Sequence, residues 1–136
     1  MGLMGQVAKS TLAHGGNAIG ITTAGLSAKG RTVVPGIVER QTANLSKRKD
    51  AMVALSDAFV TLPGGIGTFD EFFSVLSQAK VGEVEGKIAL LNVEGYFNPL
   101  VQMLDDSCAK GLNSSDWRQY GNAFSSCEEL FDWIEQ

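Results

Sequence analysis

The sequence predicts an α/β protein built on a doubly wound parallel sheet. Three observations carry that expectation. Short, nearly continuous apolar runs alternate with longer segments of helical periodicity. The apolar runs lack the in-and-out alternation of a half-exposed sheet, which implies strands covered on both faces. One run, Ala58-Phe59-Val60-Thr61-Leu62, leads into the glycine-rich Pro63-Gly64-Gly65-Ile66-Gly67 and then into a helical segment. Open α/β sheets bind their ligands at such strand-to-helix turns.

The elements follow in order. Gln6 to Ala13 reads as a short helix stopped by Gly15-Gly16, because glycine tolerates a left-handed cap. Ala18 to Thr22 reads as a buried strand. Residues 24–36 hold Gly25, Gly30, Pro35 and Gly36 and read as a loop. A helix, polar first and then apolar, is expected from about Glu39 to Leu55. After the strand over 58–62, a helix runs from Thr68 to about Lys80, with Phe72, Phe73, Leu76 and Ala79 at helical spacing. Lys87 to Val93 is another buried strand. Pro99 to Lys110 is a helix in which Leu100, Val101, Leu104 and Cys108 share a face, and Gly111 ends it. Tyr120 to Phe124 is a weak last strand. Cys127 to Ile134 is a closing helix capped by Ser125 or Ser126. No repeat or linker interrupts the series, so residues 1–136 read as a single domain.

Composition narrows the function. The chain has 136 residues, with Lys+Arg 11 against Asp+Glu 15 and a net charge of −4. An acidic chain is a poor general nucleic-acid binder, since that affinity rests on many Lys/Arg–phosphate contacts. No apolar run has the length of a membrane span, and no signal-peptide pattern is visible, which points to a cytoplasmic protein. Cys108 and Cys127 make no disulfide framework, and His14 is the single histidine. Zinc chemistry and a Ser-His-Asp triad are therefore unsupported, and no metal site is expected. His14 reads as a cation at a helix C-terminus.

The chemistry concentrates at residues 62–71. Glycines let backbone N–H groups approach a phosphate, and the following helix adds free N–H groups and a positive dipole end. The segment is neither a G-x-G-x-x-G dinucleotide fingerprint nor a Walker loop. Read alone, the glycines are either a tight connection or a phosphate cradle. Thr68 either donates to the same anion or pairs with Glu71 as a capping box. In the functional reading Glu71 stands one turn above the anion and stabilises a developing cation or orients a water. Lys47-Arg48-Lys49 is either a solvated helix face or an anion-binding group placed where the helix dipole does not favour cations.

Arg48-Lys49, the motif Pro63-Gly64-Gly65-x-Gly67-Thr68-x-x-Glu71, Gly2-Leu3-Met4-Gly5 and the stretch from Leu90 to Phe97 together resemble the LOG ("lonely guy") family, whose members often carry the label lysine decarboxylase. The resemblance implies a Rossmann-like fold. It also implies hydrolysis of the N-glycosidic bond of cytokinin riboside 5′-monophosphates, or of purine nucleoside 5′-monophosphates generally, to free base and ribose 5-phosphate. In the family this is a step of cytokinin biosynthesis. It implies no cofactor and a homodimer with a nucleoside monophosphate as the small-molecule partner. By the same resemblance Arg48 and Glu71 are the catalytic pair, while Met4, Lys49, Gly64, Gly65, Gly67 and Thr68 bind substrate. A pyridoxal decarboxylase needs a Schiff-base lysine, for which no lysine here has a visible context. Members of the family have a strand, a helix and a second strand before the Gly-Leu-Met-Gly segment. The chain is thus expected to be incomplete at its N-terminus, leaving the strand near Ile19 without its usual neighbour. In that case the alternative is a phosphate- or nucleotide-binding module without turnover.

Overall fold

In the computed structural model, residues 2–27 and 34–136 are described. The expected α/β class is what forms: helices alternate with strands, and every strand pair is parallel. The chain divides into two compact units, Met1–Leu55 and Ser56–Gln136.

The first unit opens with α1 (Leu3–Ala13), which starts earlier than the sequence suggested and so includes Met4. It ends at His14, whose Nδ1 lies 2.8 Å from the Ser10 carbonyl oxygen, the expected C-terminal position. Strand β1 (Ile19–Thr23) follows, then the short α2 (Ala24–Ser27). Helix α2 occupies the start of the expected 24–36 loop, and residues 28–33 of that loop lie outside the described residues. Strand β2 (Val38–Thr42) pairs with β1 from Ile19↔Val38 to Thr23↔Thr42. Among the described residues no strand pairs with the other edge of β1.

Strand β2 corrects the expected long helix over 39–55. Helix α3 spans only Leu45–Ala54 and is capped by Asn44, whose side chain accepts from the Lys47 N–H at 2.9 Å. Glu39-Arg40-Gln41-Thr42 has no apolar signal to mark a strand, and its side chains are exposed except for the half-buried Thr42. Pairing with β1 overrides their modest helix preference. Thr42 Oγ1 adds a hydrogen bond to the Thr22 carbonyl at 2.8 Å.

The second unit is a three-stranded sheet of order β3-β4-β5, from β3 (Ala58–Thr61), β4 (Lys87–Leu91) and β5 (Gly121–Phe124). Helices α4 (Ile66–Lys80), α5 (Asn98–Ala109) and α6 (Cys127–Ile134) connect and close it. The central strand is the most buried, with Ile88, Ala89 and Leu90 at 1% exposure or less. Phe72, Val75 and Leu76 of α4, Leu104 of α5, Leu130 of α6, and Phe97 and Trp117 from connections complete the core. The Lys87 ammonium donates to the Trp133 carbonyl and sits 5.2 Å from the centre of that indole, tying α6 to β4. Ser126 caps α6 by accepting from the Glu129 N–H at 3.2 Å, and Glu128 and Glu129 suit the positive end of the helix.

Candidate functional site

Because β3 and β4 run parallel with Thr61 opposite Leu90, the loops that follow them leave the same, carboxyl edge of the sheet. The loop after β3 is Leu62 to Gly65, and α4 starts at Ile66. Gly65 is the N-cap, with the Phe69 N–H bonded to its carbonyl at 3.1 Å. It has no side chain to cap the helix, so the amides of Ile66, Gly67 and Thr68 point out of the helix start without side-chain help from it.

This start, two residues before Thr68, removes the capping-box reading of Thr68 and Glu71. Thr68 is the third helical residue and Glu71 the sixth. A capping box needs the hydroxyl at the N-cap and the carboxylate three residues later. The pair instead lies inside the helix, one turn apart on one face. Glu71 is half-buried.

The glycines differ in what demands them. A Cβ on Gly64 would lie 2.1 Å from Thr68 Oγ1, so the threonine folds back over that residue and excludes any side chain. Cβ atoms on Gly65 or Gly67 would meet nothing within 4 Å. Internal packing therefore accounts for Gly64 and leaves the other two facing open space.

The loop after β4 is held by its own side chains. Asn92 accepts from the Phe97 N–H at 2.7 Å and donates to Asn98 Oδ1 at 2.8 Å. Glu94 adopts φ 51° and Gly95 φ 73°, and a Cβ on Gly95 would lie 2.7 Å from Asn98 Nδ2. The loop anchors on the buried Phe97, against which Tyr96 stacks edge-on at 5.1 Å, and it carries the Tyr96 hydroxyl to the Gly64 carbonyl, donating at 2.5 Å. Sequence reasoning assigned no role to Tyr96 or Asn92. The available signal was the Asn92-x-x-Gly95 turn directly after a buried strand.

Gly64, Gly65, Gly67, Thr68 and Glu71 thus come together in the second unit. Met4, Arg48 and Lys49 belong to the first. Met4 is exposed on the first turn of α1. Arg48 and Lys49 are half-buried near the start of α3, and no acidic residue balances the dipole in its first turn. Arg48 Nε donates to the Ile21 carbonyl at 2.7 Å, which ties α3 to β1. That contact is a structural duty the sequence did not reveal. No helix among the described residues is long and apolar enough to cross a membrane.

Residues 4–134 match a family model described as "Possible lysine decarboxylase". A cytokinin riboside 5′-monophosphate phosphoribohydrolase of Arabidopsis thaliana is 33% identical over 136 residues, covering 100% of this chain and 63% of the relative. A second Arabidopsis protein of that name is 35% identical over 142 residues, covering 99% of this chain and 63% of the relative. A probable phosphoribohydrolase of the same kind from Oryza sativa subsp. japonica is 40% identical over 115 residues, covering 82% of this chain and 49% of the relative. The chain spans less than two thirds of the length of these relatives. The family-model match, extending over nearly all of the sequence, places the chain in the family of the LOG proteins, the one labelled possible lysine decarboxylase.

Proposed function

We propose that this protein hydrolyses the N-glycosidic bond of purine nucleoside 5′-monophosphates of the cytokinin riboside type, giving free base and ribose 5-phosphate. The observation that carries the reading is the start of α4. Three outward backbone amides and two glycines open to solvent lie one turn from a half-buried carboxylate. Such a start suits a 5′-phosphate, and Glu71 suits the sugar beside it.

In this reaction the C1′–N bond breaks with its electron pair going to the base nitrogen, which takes up a proton. Water adds to C1′ and loses one. Glu71 stabilises the oxocarbenium-like ribose and orients that water. Arg48 holds phosphate or ribose oxygens and balances charge as the base departs. By the family resemblance Met4 and Lys49 also contact substrate, and the chain acts as a homodimer. No cofactor takes part.

The test is incubation of the full chain with AMP and isopentenyl-AMP, followed by detection of free base. Glu71→Gln is expected to lower base release by about a hundredfold or more while leaving AMP bound. Near-normal turnover by that variant would remove Glu71 from the chemistry. A second reading, a nucleotide-binding module without turnover, rests on the same helix start, which can hold a phosphate without any chemistry at the sugar. It predicts AMP binding with no base released by the wild-type chain.

A further inference from the structure

We infer that Tyr96 is a positioning residue of the phosphate cradle, acting by fixing the orientation of the Gly64–Gly65 peptide. The inference rests on the function proposed above and concerns the same site.

The peptide between two glycines is among the least constrained a chain can have. Neither flanking residue carries a Cβ to bar either orientation, so rotation of the peptide plane is sterically cheap. Its direction matters here. One orientation turns the Gly65 N–H toward a ligand at the start of α4, and the other turns the Gly64 carbonyl oxygen there. An N–H attracts a phosphate and a carbonyl oxygen repels it.

The Tyr96 hydroxyl donates to the Gly64 carbonyl at 2.5 Å. In a trans peptide the carbonyl and the following N–H point in opposite directions. Holding the carbonyl toward the tyrosine therefore sends the Gly65 N–H away from it. Tyr96 is itself held from behind. Its ring meets the buried Phe97 edge-on, and the Asn92 and Asn98 side chains close the loop that carries it. The left-handed Glu94 and Gly95 turn that loop so that Tyr96 reaches the glycine segment. A non-glycine residue at positive φ is uncommon and costs energy, so the surrounding bonds must sustain it. The hydroxyl, and not the ring, carries the effect.

Tyr96→Phe keeps the ring and its stacking and removes the hydrogen bond alone. The probes are AMP and inorganic phosphate, titrated into the full chain by calorimetry, with the melting temperature of the unliganded protein alongside. The variant is expected to bind both probes about tenfold more weakly than wild type, with an unchanged melting temperature. Unchanged affinity for both probes overturns the inference. So does a loss confined to AMP, because that places the tyrosine against the nucleoside and not behind the phosphate. A loss accompanied by a fall in melting temperature assigns it a general structural role and also overturns it. Wild-type protein that binds neither probe overturns the proposed function, and this inference with it. Tyr96→Ala, which removes ring and hydroxyl together, separates the two contributions. It is expected to lower the melting temperature and to weaken phosphate no further than Tyr96→Phe.

Discussion

The two compact units place their proposed site residues on very different foundations. In the second, β4 is almost wholly enclosed and each of α4, α5 and α6 buries at least one apolar side chain. In the first, neither α1 nor α3 has a buried residue, and Leu3, Met4 and Val7 of α1 are half or more exposed. Among its described residues the buried ones are Ile21, Thr22, Thr23 and Val34, two of them polar. The glycine loop thus stands on a packed sheet. Arg48 stands on a helix held by the Asn44 cap and by its own bond to the Ile21 carbonyl. A preorganised anion cradle needs the first kind of support, because amides that wander lose their electrostatic advantage.

Truncating one apolar side chain in each unit is the strongest way to break this contrast. Leu90→Ala is expected to cost about 3 kcal/mol of stability by leaving a cavity in the central strand. Val7→Ala, on an exposed face, should stay within about 0.5 kcal/mol. Comparable losses in chemical denaturation would show that α1 is covered in the working protein. A smaller effect is expected at the cradle. Gly64→Ala forces its Cβ against Thr68 and should cost about 2 kcal/mol, part of it recovered in the double variant with Thr68→Ala. Strict additivity of the two changes would show that the glycine is required for another reason.

The smallest effect sharpens the comparison from the surface of the second unit. Arg118 bridges Asp105 with contacts of 2.5 and 3.2 Å and stacks over Trp117. The hydrogen bond from Arg118 lowers the Asp105 pKa most, helped by the arginine charge and the Trp117 indole and opposed by burial. A carboxylate with a lowered folded-state pKa adds stability above its unfolded value. That stability is lost as pH falls through the lowered value. Side chains 42% and 39% exposed keep the contribution small, so Asp105→Asn should cost under about 1 kcal/mol at neutral pH. It should also flatten the acid limb below about pH 4. An unaltered acid limb would show the pair to be fully screened.

Local pattern carried much of the outline. Apolar runs marked β1, β3, β4 and β5 within a few residues, and Ser126, Gly111 and Gly15 marked helix ends, because these signals depend on residues adjacent in the chain. The motif that names the family is equally local. Strand β2 was hidden, since a polar edge strand is specified by the neighbour it pairs with and not by its own composition. The helix start at Gly65 was also hidden, because a glycine N-cap leaves no side-chain signature. So were the Arg48–Ile21 and Tyr96–Gly64 bonds, whose partners lie 27 and 32 residues apart. Hydrophobic periodicity records which face is buried but not which distant carbonyl a side chain reaches. Sequence alone therefore established the parallel α/β plan, the family and a carboxylate beside a glycine turn. Tertiary structure decided that Glu71 lies within the helix and not at its cap, and that the Tyr96 hydroxyl of the next loop reaches the Gly64 carbonyl.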